Sequence, residues 1–576
     1  MENPEVAQIF EEVADLLELQ DANPFRVRAY RSAARTIRDL TEPLAQITVD
    51  PDRELSDLPG IGTDLAGKIG VILETGDLPL RAELALQVPA GLRDLILLPG
   101  LGPKRARLLY DNLDICSLDG LRAACLEQRV RTLRGFGVKT EQTLLHSLDE
   151  LGQTSRRMYL SEAAVYADVL LRQFSSAPGL QEIAVAGSFR RCRETVGDLD
   201  ILVACTKPAA VMERLASYEG LARVLARGPT KMSVRLSCGL QVDVRVVELA
   251  AYGAALVYFT GSKAHNIALR KRAQERGLKI SEYGVFRGQR RIAGRTEDDV
   301  YKSVGLPWIP PELREDHGEL DLAEAGELPK LIDPKQVHGD LHMHTTATDG
   351  RNTLEEMVEG ARQHGYAYIA VTDHSKRVTM ARGLDARRLR QHWRSIDRLQ
   401  ARTRSIHILK GVELDILENG KLDLADDVLA EADWVIASIH YGQNQPAEQI
   451  TRRLLNAVRH PCVNAIGHPT GRLIGRRPGY KFDHETVFRE AAEHGCLMEV
   501  NGQPSRLDLD DQMLRSARQF GVGIYLGTDA HAVEELCFMQ GAVNQARRAG
   551  LEAAEVVNTR NWARFSKLLR KRLVER

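Results

Sequence analysis

Seven short apolar segments recur in the C-terminal part of this chain, and each one runs into polar residues: DLHMH (340–344), YIAVTDH (368–374), HILKGVELD (407–415), WVIASIH (434–440), VNAIGH (463–468), CLMEVNG (496–502) and GIYLGTDAH (523–531). Helical stretches separate them. Parallel strands need long crossovers, and a strand–helix repeat of this kind closes most readily into a barrel of βα units. In such barrels the reactive groups gather at the C-terminal strand ends. The polar residues that close each segment are therefore expected on one rim.

The rest of the chain cannot belong to that barrel. The sequence has 576 residues, enough for about three to five domains. Hydrophobic residues make up 43% and charged residues 27%, ordinary values that exclude wholesale disorder. No apolar run is long enough to span a bilayer, and the acidic, amphipathic start MENPEVAQIFEEVADLL argues against a signal peptide, so no membrane association is expected. The eight cysteines form no CxxC pair, which points away from thiolate zinc and disulfides and toward a reducing, cytoplasmic setting. The net charge of −1 seems at first to count against a nucleic-acid partner. Histidine is distributed unevenly: 13 of 16 fall at or after His338.

The first 150 residues read as short amphipathic helices, with apolar spacing near 3.6 in Glu11 to Leu19 and Tyr30 to Leu40. Three stretches there share the form Leu-x-Gly-h-Gly: LPGIGTDLAGKI (58–69), LPGLGPKRARLL (98–109) and LRGFGVKTEQTL (133–144). The paired glycines Gly60 and Gly62, Gly100 and Gly102, and Gly135 and Gly137 turn the backbone tightly and present amides at a helix start, an arrangement that binds phosphate without reading sequence. One copy would be only a turn. Three copies look like helix-hairpin-helix motifs for the DNA backbone.

From about residue 181, β-branched alternating segments appear: IAVAGS, DILVA and QVDVRVV. Asp198 and Asp200 stand two apart and so face the same way on a strand. With Asp243 on a neighbouring strand, three carboxylates would converge and raise one another's pKa unless divalent cations sat among them. GSFRRCRETVGDLDILVA resembles the palm signature of the family X DNA polymerases, the family of DNA polymerase beta, and YFTGSKAHNIALR (258–270) resembles that family's segment for the incoming nucleotide. The resemblance implies that Asp198, Asp200 and Asp243 hold two Mg²⁺ or Mn²⁺ ions, with Asp243 nearest the primer 3′ hydroxyl. It also implies that Gly187, Ser188, Arg191, Gly197 and Gly261 serve the triphosphate, that Tyr258 and Phe259 crowd the sugar, that Asn266 reaches the nascent base pair, and that Arg245 shares the face of Asp243. Cys192 departs from the pattern, since the family commonly has glycine after the double arginine.

LPGIGTDLAGKIGVILETG resembles that family's small lyase domain, where a lysine forms a Schiff base with a sugar aldehyde. Lys68 takes the matching position, with Tyr30 and Arg26 at family positions. Asp64, standing where a basic residue is expected, would push the lysine pKa up, so reactive amine and ordinary solvated lysine both stay open. Residues 261–295 carry ten Lys or Arg against two Glu and read as a surface for duplex backbone. Residues 312–330 invert this, with seven acids against two bases among prolines, and read as a linker.

The rim of the seven-strand region supplies His342, His344, Asp349, His374, Glu413, His440, His468, Asp529 and His531. Nitrogen and carboxylate donors without thiolate suit zinc, manganese or iron. The set resembles the polymerase-and-histidinol-phosphatase (PHP) domain, a distorted seven-stranded barrel with up to three metals that hydrolyses phosphate esters. Glu499 and Asn501 are expected to orient ligands, and Arg382 and Arg506 either steer a phosphate or are ordinary surface residues.

The expected organisation is therefore multidomain. A lyase-like helical domain (1–85) and a helix-hairpin-helix subdomain (86–150) lead into an α/β nucleotidyltransferase palm (151–247) and a thumb-like subdomain (248–311). A linker (312–337) then precedes a (β/α) barrel (338–576). The implied function is short-gap filling on gapped or primer-template DNA with deoxynucleoside triphosphates, by a monomer near the nucleoid, with 3′-end trimming by the barrel. A phosphoesterase whose polymerase module only grips DNA and a non-enzymatic scaffold are the alternatives.

Overall fold

The computed structural model describes residues 3–20, 22–40, 44–49, 53–89, 92, 95–96, 98, 101–154 and 157–569. The chain folds as two compact units, Met1–Arg156 and Arg157–Arg576.

The first unit is helical. Helices Asn3–Leu19 and Pro24–Asp39 bury Phe10, Leu17, Tyr30 and Ile37 in a core shared with Ile61, Ile69 and Ile72 of the first hairpin. The Asn23 side chain and a proline at the first helical position start the second helix, as their chemistry favours. The three glycine segments turn alike: Ile61, Leu101 and Phe136 donate from their backbone nitrogens to the carbonyls of Leu58, Leu98 and Leu133, each at 3.0 Å. Gly60 and Gly135 lie at φ +78° and +91°, a conformation that glycine adopts at little cost. Gly62 and Gly102 stand at the N-caps of helices Thr63–Thr75 and Pro103–Leu113. A Cβ there, or at Gly137, would meet nothing within 4 Å among the described residues. Packing within the unit thus gives no reason for glycine at these three positions. Gly100 lies outside the described residues.

In the second unit, strands Leu180–Val185, Asp198–Cys205, Gln241–Val247, Lys231–Leu236 and Leu221–Arg227 lie side by side in that order. Asp198–Cys205 and Gln241–Val247 pair in parallel with Asp200 opposite Asp243, and the other pairs are antiparallel. Helices Leu160–Ser175 and Pro208–Ala216 bury Phe174, Val211 and Leu215 with Leu199, Ile201 and Val242. Helices Tyr252–Thr260 and Lys263–Glu275 follow, packed with Val285, Val300 and Tyr301.

The seven apolar segments form seven parallel strands in chain order: Gly339–Asp340, Tyr368–Val371, His407–Asp415, Trp434–Ser438, Ala465–Ile466, Leu497–Asn501 and Ile524–Gly527. The first and last join beyond their ends, where Asp529 N donates to His342 O (2.9 Å) and His344 N to Ala530 O (2.8 Å). One parity of residues (Ile369, Val371, Ile408) packs with apolar residues of the helices between strands. The other parity (Tyr368, Ala370, Leu409, Trp434) forms a second cluster with Phe565 of helix Trp562–Leu569.

The acidic stretch expected as a linker is packed instead. Glu312, Arg314, Glu319 and Leu320 are buried, and Glu319–Ala325 is helical. Each inward carboxylate has a partner: Glu312 accepts from Arg547 Nε (2.8 Å), Glu315 from Arg191 and Arg548 (3.0 Å each), and Glu319 lies 2.6 Å from His265 Nδ1. Composition alone reads as a linker here because all these partners are remote in sequence.

Candidate functional site

The palm site rests on two adjacent strands. The alternating burial of Gln241–Val247 puts Asp243 and Arg245 on the same face, and the register sets Asp243 beside Asp200. Ser233 Oγ donates to Asp243 Oδ1, and Gln241 Nε2 donates to Oδ2 at 2.8 Å, so this carboxylate is fixed from both sides. Burial, together with the charges of Asp198 and Asp243, pushes the Asp200 carboxyl up to about 7 despite Arg245 and Arg191. Burial and Asp243 raise Asp198 as well, opposed by Arg157. Three carboxylates that cannot comfortably all be charged form an all-oxygen donor set suited to divalent cations.

The preceding loop is built around Asp200. Gly187 sits at φ +61°, and a Cβ on it would lie 2.5 Å from Asp200 Oδ2. Ser188 follows on the same short turn. Arg190 faces away from the carboxylates, bidentate to Glu297 (2.7 and 2.8 Å) with Thr260 Oγ1 at 2.9 Å. Arg191 donates through Nε to Glu315 and through Nη1 to the Thr260 carbonyl. Cys192 takes φ +54°, the conformation a glycine would take, so the departure from the family pattern keeps the loop path and places a side chain in it. At Gly197 a Cβ would meet Arg157 Nη1 at 3.3 Å. Arg157 escaped the sequence reading because it stands outside the motif and no local pattern marks it.

The Tyr258 and Phe259 rings meet edge to face at 5.1 Å, with Tyr258 half-exposed. The Arg245 guanidinium stacks on Phe259 at 4.6 Å. Asn266 donates to the Tyr258 carbonyl at 2.7 Å, and Gly261 turns the chain at φ +67°. In the helical unit, Lys68 bonds Asp64 at 2.5 Å, and its ammonium lies 5.4 Å from the centre of the Tyr30 ring. Burial works against the charged amine, but Asp64 and Tyr30 outweigh it and hold Lys68 above its usual range, the opposite of what an amine nucleophile needs.

All nine barrel residues converge. Three groups place their ligand atoms within 4.8 Å of one another: His344, Asp349, His374 and His531; His342, His344 and Asp529; and His374, Glu413 and His440. His468 Nε2 lies 2.9 Å from Glu413 Oε1, which ties the ninth residue to the third group. His344 faces two groups with different ring nitrogens, Nε2 toward Asp529 (3.2 Å) and Nδ1 toward Asp349 (4.0 Å). Burial and the neighbouring His531 and His374 push His344 down to about 4, so its imidazole is neutral near pH 7. Both His344 nitrogens, His342 Nε2, Asp349 Oδ1, His374 Nδ1 and Glu413 Oε2 are buried without a hydrogen-bond partner among the described residues. Orphaned polar atoms in such number are costly, and coordination to cations is what satisfies them.

Behind the ligands, Glu499 bonds His342 Nδ1 at 2.7 Å and accepts from His468 N at 2.6 Å, while Asn501 Nδ2 reaches Asp529 Oδ2 at 3.1 Å. Asp415 does the same for His440 Nδ1 (3.2 Å). It went unread although it stands two residues after Glu413 on one strand face. Arg506 Nε lies 3.5 Å from Asp529 Oδ2, and Arg382 donates to the Thr348 carbonyl.

Across 566 residues the chain is 39% identical to the DNA polymerase/3′-5′ exonuclease PolX of Bacillus subtilis (strain 168), covering 97% of this chain and 98% of that protein. The chain belongs to the family X DNA polymerases. The polymerase also matches models of a helix-hairpin-helix domain (residues 1–78), a SAM-like helix-hairpin-helix tandem (92–150), the DNA polymerase beta thumb (255–315) and the PHP domain (340–499). It is 27% identical over 328 residues to DNA polymerase lambda of Rattus norvegicus, covering 50% of this chain and 52% of that one. Its C-terminal part is 31% identical over 233 residues to a probable phosphatase of Thermoanaerobacter sp. (strain X514), covering 38% of this chain and 89% of that one. Among the described residues, no helix of this family X polymerase is long and apolar enough to cross a membrane.

Proposed function

We propose that the chain is a template-directed DNA polymerase that fills short gaps during repair and trims 3′ ends with its barrel. One observation carries this reading: a single chain holds a converging carboxylate triad and, in a separate barrel, a nine-residue cage of imidazoles and carboxylates. Asp198, Asp200 and Asp243 would hold Mg²⁺ or Mn²⁺, and the barrel residues zinc, manganese or iron. When bound, such cations supply Lewis acidity and neutralise charge on phosphate oxygens.

Asp243, fixed by Ser233 and Gln241, accepts the proton of the primer 3′ hydroxyl at a carboxylate oxygen. Gly187 and Ser188 turn backbone and hydroxyl donors toward the triphosphate, and Arg191 adds a guanidinium. Tyr258 and Phe259 crowd the sugar, while Asn266 is placed for the nascent base pair. The hairpin glycines, which nothing inside the protein requires at 62, 102 and 137, leave amides open to DNA phosphates. In the barrel, Glu499 and Asp415 hold His342 and His440 in the orientation ligation needs. Tethering both sites on one chain keeps a trimmed 3′ end near the polymerase.

The test is a gapped duplex labelled at the primer 5′ end, given to wild type, Asp198→Ala and His344→Ala with and without nucleotides. Asp198→Ala should lower extension by on the order of a thousandfold and spare trimming, and His344→Ala should do the reverse. Equal loss of both activities in either variant would overturn the assignment of two independent sites.

A further inference from the structure

The barrel reaches into the polymerase site through one arginine. Arg548 closes helix Met539–Arg548 and is 2% exposed. Its Nη1 donates to the Glu315 carboxylate (3.0 Å) and to the backbone carbonyl of Arg191 (2.8 Å), while Nη2 donates to Asp511 (2.8 Å). The same Glu315 oxygen accepts from Arg191 Nε. Arg191 in turn lies near enough to Asp200 to lower its pKa, and its Nη1 is 3.2 Å from where a Cβ on Gly261 would stand. One barrel residue thus touches both the backbone of Arg191 and the carboxylate that aims its guanidinium.

We propose that Arg548 and Glu315 are positioning residues for nucleotidyl transfer, through which the barrel sets the affinity of the polymerase for the incoming triphosphate. The physical reason is preorganisation. Arginine has four side-chain rotors, and a free Arg191 would lose that freedom on each nucleotide it bound. Held at Nε by Glu315 and at Nη1 by the Thr260 carbonyl, it offers its remaining donors in one direction. Glu315 can do this only while it is fixed itself, because a carboxylate shared between two arginines is restrained by the second. The second arginine belongs to the barrel. A nucleotide-binding group is therefore completed by a fold whose chemistry lies elsewhere.

This inference rests on the reading that Arg191 contacts the triphosphate, and the test separates the two. Single-turnover gap filling by the full-length chain gives the apparent Kd for the nucleotide and the maximal rate for wild type, Arg191→Ala, Arg548→Ala and the double variant. Glu315→Gln, which keeps size and loses charge, carries the same measurement if Arg548→Ala does not fold. Arg548→Ala should raise Kd by about tenfold with the maximal rate changed far less, and Arg548→Lys should recover part of it. The double variant should bind nucleotide no worse than Arg191→Ala alone, a non-additivity that general loosening of the fold would not produce. An unchanged Kd in Arg548→Ala alongside a raised one in Arg191→Ala overturns the proposal and leaves the role of Arg191 standing. So does an Arg548→Ala effect that persists in full in the Arg191→Ala background. An unchanged Kd in Arg191→Ala overturns the reading of Arg191 and the proposal with it.

Discussion

The palm and the barrel both gather acidic groups for cations, yet they solve the electrostatic problem in opposite ways. In the palm, three carboxylates face one another with arginines only at the periphery, and Asp200 is pushed to about 7 by burial and its neighbours. In the barrel, imidazoles alternate with carboxylates. Although burial opposes it, the histidines around Glu413 hold that carboxyl well below its usual range. The palm is charged only when cations arrive, which suits ions that come with substrate. The barrel is neutralised in advance by its own residues, and its orphaned donor atoms suit ions that stay.

Room for the carboxylates comes from glycine in both sites, and that parallel can be broken. A Cβ on Gly187 would stand 2.5 Å from Asp200 Oδ2, and one on Gly527 would stand 2.3 Å from Glu499 Oε1. Gly187→Ala should lower extension by about a hundredfold with trimming intact, and Gly527→Ala should lower trimming by about as much with extension intact, since a 1 Å displacement of a reacting group costs this order of rate. Rates of both activities for both variants check it. Loss of the same activity in both would show that the two glycines do not serve separate sites.

A smaller effect sharpens the electrostatic contrast. The folded-state pKa of Asp200 is raised from 3.8 to about 7, so its contribution to stability is greatest below about pH 4 and is lost as pH rises toward 7. Cation binding removes the repulsion behind that loss. Added Mg²⁺ should therefore raise the melting temperature more at about pH 8 than at about pH 5, by a few degrees. Barrel ligands also bind cations better at high pH, so the measurement is the part of this gain that disappears in Asp200→Asn. If nothing disappears, the palm carboxylates are not the source.

What could be read from the sequence follows the reach of the physical signals. Asp198 and Asp200 were legible because the two-residue period of a strand puts them on one face, and the barrel ligands because each closes a repeated apolar segment. The hairpin of Leu221–Arg227 and Lys231–Leu236 went unread: Leu221–Arg227 lies at the sheet edge, mostly exposed, and shows no alternation. The acidic stretch was misread for a different reason. The partners of Glu312, Glu315 and Glu319 are Arg547, Arg548, Arg191 and His265, and pairs so far apart in sequence leave no local period to find. Arg157 and Asp415 belong with them, being supporting groups whose meaning depends on what they stand beside.

The smallest expected effect concerns backbone strain, which also divides the two sites. In the barrel, the residues in the left-handed region include two ligands, His468 at φ +28° and Asp529 at +54°, so relieving strain there would remove the chemistry. In the palm loop, the strained residue is Cys192 at φ +54°, which carries no assigned role. Its thiol is pushed up to about 12, chiefly by burial, and is therefore unreactive near neutral pH. It borders an apolar cavity of about 450 Å³ with Phe189, Leu507 and Phe538, so removing its side chain forfeits few close contacts. A left-handed non-glycine residue costs about 1–2 kcal/mol, and glycine gives back part of that gain through its freer unfolded chain. Cys192→Gly should therefore stabilise the second unit by up to about 1 kcal/mol, seen as a small rise in denaturation midpoint, with extension and trimming unchanged. A fall in the midpoint would mean that the contacts of the thiol in that cavity outweigh the strain of its backbone.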